Sequence, residues 1–174
     1  MKTAQPSARD ICEKMLVLTG AALKTGDFEL FARCFTYPQE LQTFVGRRSL
    51  LNENDLRDVF GAVRTFYLKN GVTDLSRRCV EAAFKTPDTI QTVYETRLVS
   101  GTTIIREAFP VFSTLVRIDD EWKIAGTSYA LPNSVKADDD FLSRLTPKTR
   151  EALVSNSAKS QEETPAKHLD GGPD

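Results

Sequence analysis

The chain has 174 residues, with 23 basic and 24 acidic side chains and a formal net charge of -1. Hydrophobic residues are 40% and charged residues 27%, a globular balance that excludes collagen, a disulfide scaffold and wholesale disorder. The basic residues form only two isolated pairs, Arg47-Arg48 and Arg77-Arg78, so the phosphate-neutralising stripe of a nucleic-acid binder is missing. Both pairs read as solvated surface.

Residues 8 to 24 predict a helix, because Ala8, Ile11, Met15, Leu18 and Ala22 recur at spacings of three and four. Ser7 and Asp10 form a capping-box pattern, and Gly26 follows as the left-handed stop. Asp27 caps a shorter helix whose stripe is Phe28, Phe31, Ala32 and Phe35, with Pro38 expected to stop it. A hairpin is predicted from Gln39 to Leu51, turning at Val45-Gly46. A third helix starts at Asn52 or Asn54 and runs to about Asn70, burying Leu56, Val59, Phe60, Val63, Phe66 and Tyr67.

From residue 72 the period changes from 3.6 to 2. Strands are expected at about 72 to 85, 89 to 100, 103 to 118 and 122 to 130, and the short breaks make them antiparallel neighbours. Pro110 predicts a bulge or bend in the third. Residues 1 to 133 thus read as one domain and 134 to 154 as an extension with a short helix at Thr146-Pro147. Residues 155 to 174 read as a disordered tail on composition.

Three helices against a long meander predict an α+β fold, in which a curved antiparallel sheet wraps the helices and leaves a cavity between them. The segments ALKTGDFELFARCF at 22 to 35, Tyr37-Pro38, VGRRSLLNENDLRDVF at 45 to 60 and STLVRIDDEWKIAGTSYAL at 113 to 131 resemble the SnoaL-like, nuclear-transport-factor-2-like superfamily, in a bacterial-type member. The resemblance covers roughly residues 8 to 131. It implies a cone in the order α-α-β-β-α-β-β-β-β, on a scaffold that hosts isomerases, dehydratases, epoxide hydrolases, cyclases and non-catalytic binding modules.

The sole histidine, His168, falls in the tail, so core acid–base catalysis by imidazole is not expected. The histidine–aspartate arrangement of the dehydratases therefore does not carry over. No metal-ligand spacing is present, and neither a metal nor another cofactor is expected. Cys12, Cys34 and Cys79 are odd in number and widely spaced, which reads as buried thiols in a reducing compartment. The N-terminal stretch lacks an apolar leader core, and no apolar run approaches a membrane span. The expected setting is the cytoplasm, with no membrane or nucleic-acid partner.

On strand 89 to 100 the more apolar side carries Ile90, Thr92, Tyr94, Thr96 and Leu98, so it is placed toward the cavity, leaving Glu95 and Arg97 outside. On the closing strand Trp122 and Ile124 are expected in the core, with Gly126 and Ser128 lining the deeper cavity. The candidate ligand-binding residues are Tyr37, Phe60, Tyr67, Tyr94 and Ser128. The expected activity is binding of a small apolar or aromatic molecule without catalysis, in a homodimer formed through the sheet. The alternative is an isomerase or lyase for a small carbonyl compound, with Tyr94 or Tyr129 as donor and Glu95 or Glu81 as base.

Overall fold

A computed structural model describes residues 5–43 and 46–129. Val45 of the expected hairpin turn, the expected boundaries at 133 and 154, the short helix at Thr146-Pro147, the tail and His168 lie outside the described residues.

Helix α1 (Ala8–Thr25) begins with the predicted capping box. The Asp10 N–H donates to Ser7 Oγ at 3.2 Å, and the Ser7 N–H donates to Asp10 Oδ2 at 3.0 Å. Gly26 ends it in the left-handed region, at φ 80°, a conformation that costs glycine little. Arg64 reaches over that end and donates to the carbonyls of Leu23 and Lys24 at 2.8 and 3.0 Å. This satisfies acceptors that a helix terminus otherwise leaves open.

Helix α2 (Phe28–Arg33) is capped by Asp27, which accepts from the Leu30 N–H at 2.9 Å. It is shorter than expected. Cys34 is already its C-cap and Phe35 opens strand β1 (Phe35–Thr43). The final strand competes for this segment: the Ile124 N–H donates to Cys34 O at 2.7 Å, and Lys123 Nζ donates to Arg33 O at 2.7 Å. The helix therefore stops five residues before Pro38, and the Tyr37–Pro38 peptide, which is cis, lies within β1.

Strand β2 (Gly46–Leu50) pairs antiparallel with β1. Helix α3 (Glu53–Lys69) follows, capped by Asn52, one of the two caps expected. The long strands are β3 (Asp74–Thr86), β4 (Thr89–Ser100), β5 (Thr103–Ile118) and β6 (Glu121–Tyr129), each close to its predicted span. They join β1 and β2 in one unclosed six-stranded sheet of order β2-β1-β6-β5-β4-β3. All neighbours are antiparallel except β1 and β6, which are parallel. This confirms the α+β cone, with one parallel pairing that the meander pattern does not foretell.

Pro110 stays inside β5, opposite Glu95 and one residue past the end of the β6 ladder. The register breaks of β5 fall upstream, between Ile104 and Phe109. A different bulge matters more. Leu115 faces Ile124 while Thr114 faces Gly126, so Ala125 is an extra residue in β6. One extra residue reverses every side chain beyond it. Ile124 and Thr127 are both buried, and Gly126 and Ser128 are turned to the outer face.

The helices pack on one face of the sheet. Ala22, Phe28, Phe31, Leu56 and Phe60 form the main cluster with Leu41 and Leu50. Cys12 and Leu16 of α1 pack on Cys79, Tyr94 and Val111. Cys12, Cys34 and Cys79 are buried free thiols, and burial pushes the Cys12 thiol up to about 12.

Candidate functional site

Between the helices and the inner face of the sheet lies a cavity of about 80 Å³. Its floor and walls are apolar: Leu23 and Phe31 from the first two helices, Val59 and Val63 from α3, Leu41 and Leu98 from the sheet. Into this apolar frame project Thr19, Gln39, Tyr67, Arg77, Tyr94, Thr96, Thr127 and Tyr129.

Strand alternation places these groups. On β3, Leu75, Arg77 and Cys79 share the inner face, so Arg77 reaches inward. Its Nη2 donates to Leu16 O at 2.7 Å and to Thr19 Oγ1 at 3.1 Å, both on α1. Gly20 allows this crossing, since a Cβ there would sit 2.7 Å from the same nitrogen. Arg78 points outward and pairs with Glu95 Oε2 at 2.9 and 3.0 Å. The other pair is split in the same way. Arg48 is 8% exposed, with Asp55 at 3.6 Å and Asp58 at 3.9 Å, while Arg47 faces Gln42 outside. The reading of both pairs as solvated surface is therefore corrected for Arg48 and Arg77. A strand does not put two consecutive residues on one face.

Three tyrosines converge on the cavity. Burial pushes the Tyr67 hydroxyl up to about 12, against the opposing pull of the Arg77 guanidinium. Tyr94 and Tyr129 are raised by burial as well, Tyr129 also by its neighbours Tyr94 and Tyr67. All three hydroxyls keep their protons at neutral pH and so retain an O–H that can donate. Gln39 is 2% exposed, and its Oε1 has no hydrogen-bond partner among the described residues.

Of the residues singled out from the sequence, Tyr67 and Tyr94 line the cavity, and the chosen inner face of β4 is the buried one. Tyr37 and Phe60 do not line it. Tyr37 packs at the edge of the helical cluster, with a hydroxyl that is buried and raised by desolvation. Phe60 is locked between aromatic rings, with centroids 5.4 Å from Phe28 and 4.9 Å from Phe31. Ser128 is on the wrong face, because Ala125 reverses the strand before it. Thr127 and Tyr129 take the place assigned to Gly126 and Ser128. The carboxylate–tyrosine arrangement is not formed: Glu95 is held outside by Arg78, and Glu81 borders a groove on the outer face.

Arg77 and Gln39 are the site residues that the sequence reading passed over. The signal for both is alternation: Arg77 lies between Leu75 and Cys79, and Gln39 two residues before Leu41. Among the described residues no cluster of three or more histidine, cysteine or acidic side chains is placed to hold a metal ion. No helix among them is long and apolar enough to cross a membrane.

No family model matches the chain, and no curated protein matches it. Solved structures do. A nuclear-transport-factor-2-like protein of unknown function from Shewanella oneidensis superposes with a TM-score of 0.55 at 15% identity, over 69% of this chain and 96% of that one. A domain of unknown function with a cystatin-like fold from Nostoc punctiforme gives 0.58 at 15% identity, over 91% and 100%. The hexachlorocyclohexane dehydrochlorinase LinA-type3 from Novosphingobium barchaimii gives 0.52 at 15% identity, over 70% and 84%. Identities this low speak for architecture and not for chemistry. The chain has the cystatin-like cone fold of the nuclear-transport-factor-2-like proteins.

Proposed function

We propose that this chain is a small-molecule-binding domain that holds its ligand in the cavity between helices and sheet, without catalysing its conversion. One observation carries the reading. The cavity is apolar in frame and polar at a few convergent points, the usual make-up of a ligand site, yet no carboxylate or imidazole lines it among the described residues. The tyrosines stay protonated, so the wall supplies hydrogen-bonding groups and no base.

The test is mass spectrometry of small molecules released by denaturing freshly purified protein, wild type beside Thr96→Trp, which fills the cavity. A compound released from wild type and absent from the variant is the expected result. Equal release from both, or no release together with no thermal shift from any member of a fragment library, overturns the reading.

The same reading includes a second copy of the chain on the outer face of the sheet. Phe112 is 45% exposed there, beside Ala83 and Val93 in a broad groove bordered by Glu40, Arg47, Glu81 and Lys85, and an exposed ring within a polar, charged border is suited to a two-fold contact. Sedimentation of wild type as a dimer and of Phe112→Arg as a monomer is expected; a monomeric wild type removes this part. The free thiols of Cys12 and Cys79, packed in one cluster, support a reducing compartment such as the cytoplasm.

A further inference from the structure

Arg77 is the one charged residue among the described residues that line the cavity. Its hydrogen bonds go to neutral groups, Leu16 O and Thr19 Oγ1 on α1 and the Tyr94 hydroxyl. Two carboxylates border the groove on its other side, and each is committed elsewhere. Glu13 Oε1 accepts the Cys79 N–H at 2.8 Å, and Asp74 pairs with Lys24 at 3.5 Å. A partly buried guanidinium without a counter-ion is costly, and an anion entering from outside offsets that cost. Guanidinium geometry fits a carboxylate with two parallel N–H donors.

A second orphan belongs to a residue of the same wall. Gln39 Oε1 is fully enclosed and accepts nothing from the described residues, so it wants a donor. Volume sets the size. The cavity, at about 80 Å³, is smaller than the about 150 Å³ void that admits a benzene ring. That suits an acid of two or three carbons and excludes a ring.

We propose that the cavity takes a compact organic carboxylate that also carries a hydroxyl group, with its carboxylate on Arg77 and its hydroxyl donating to Gln39 Oε1. The apolar remainder packs against Val59, Val63 and Leu98. This assignment rests on the binding role proposed for the cavity.

The test titrates three compounds of nearly one size into the full chain: glycolate, acetate and acetamide. Binding is read by calorimetry and by the amide signals of Thr96 and Thr127. The hydroxy acid should bind tightest, acetate several-fold weaker, and acetamide at least about tenfold weaker than acetate, because it lacks the charge. Arg77→Met should abolish the preference for acid over amide. Gln39→Leu should abolish the preference for the hydroxy acid. The acid–amide comparison needs no variant, so a poorly folding Arg77→Met leaves it decisive.

Equal binding of acid and amide overturns the carboxylate assignment and leaves the cavity as a binding site. Equal binding of the two acids, or a preference that survives Gln39→Leu, overturns the hydroxyl assignment. If none of the three binds but xenon shifts Thr96 and Thr127, the inference falls and the binding role stands. If xenon also leaves them unmoved, both fall.

Discussion

Arg77 and Arg78 are adjacent in β3 and serve opposite faces of the sheet: Arg77 Nη2 is 2.7 Å from Leu16 O on α1, and Arg78 Nη2 is 2.9 Å from Glu95 Oε2 outside. The inner contact ties the sheet to the first helix in a partly buried setting. The outer one is a cross-strand ion pair whose arginine side chain is 76% exposed.

The two should differ in energy accordingly. Arg77→Ala removes charge-assisted bonds to two helix acceptors and should cost about 1–3 kcal/mol. Arg78→Ala should cost less than about 1 kcal/mol, because exposed pairs are screened and entropically weak. Urea unfolding of both variants gives the comparison. Equal losses would mean that Arg77 is not a structural tie between sheet and helix.

The buried tyrosines predict an alkaline weakness. An unfolded tyrosine loses its proton near its ordinary value of 10.0, whereas Tyr67 in the folded chain holds its proton to about 12. The folded state therefore binds more protons in this window, and its stability falls as pH rises. Stability from this source is complete below pH 10 and is lost as pH climbs toward 12. At pH 11 Tyr67 alone accounts for roughly 1 kcal/mol, with Tyr94 and Tyr129 adding in the same direction. Denaturant melts from pH 8 to 11.5 should show this slope, and Tyr67→Phe should flatten it. A flat profile in wild type would show the hydroxyls to be solvated.

Much of this fold is legible because local signals agree with tertiary demands. The Ser7–Asp10 box, Gly26, Asp27 and Asn52 set helix ends by backbone hydrogen bonding within a few residues. The change of period after Asn70 sets the strands. What was not legible depends on partners distant in sequence. Phe35 looks helical by spacing with Phe28 and Phe31, but its neighbour Cys34 is claimed by Ile124, about ninety residues later. The inner residues of β4 follow from alternation alone. Those of β6 do not, because nothing in EWKIAGTSY marks Ala125 as the residue that opts out of the ladder. The site was half visible for the same reason: Tyr67 and Tyr94 follow from periodicity, whereas Tyr129 and Thr127 follow from a bulge.

Phe60 and Tyr67 lie on one helix seven residues apart, yet they should respond differently to substitution. Phe60 fills the centre of an aromatic cluster and is 7% exposed. Phe60→Ala should cost about 3–5 kcal/mol through lost contacts and a new void. Tyr67→Phe keeps the ring and removes only a hydroxyl that faces the cavity. It should change stability by less than about 1 kcal/mol at neutral pH. Thermal melts decide the matter; a large loss in Tyr67→Phe would reveal that its hydroxyl is a structural bond and not a free donor.

The bulge at Ala125 can be tested by deletion. Removing this residue joins Ile124 to Gly126, whose partners Leu115 and Thr114 are already adjacent, so the ladder becomes regular while Thr127 and Tyr129 keep their inward places. The Tyr129 ring should stay beside Phe109, at 6.4 Å between centroids, and the Thr127–Ser113 hydroxyl contact at 3.4 Å should remain. What the variant loses is the local twist that a bulge adds, an effect expected to fall within about 0.5–3 kcal/mol, the cost of an ordinary single change. Deletion of Ser128 instead keeps the bulge and turns Tyr129 outward, away from Phe109, so it should cost more. Circular dichroism melts of the two variants decide the matter. A deletion of Ala125 that melts below the deletion of Ser128 would show that the twist at the bulge, and not the facing of Tyr129, holds the cavity wall.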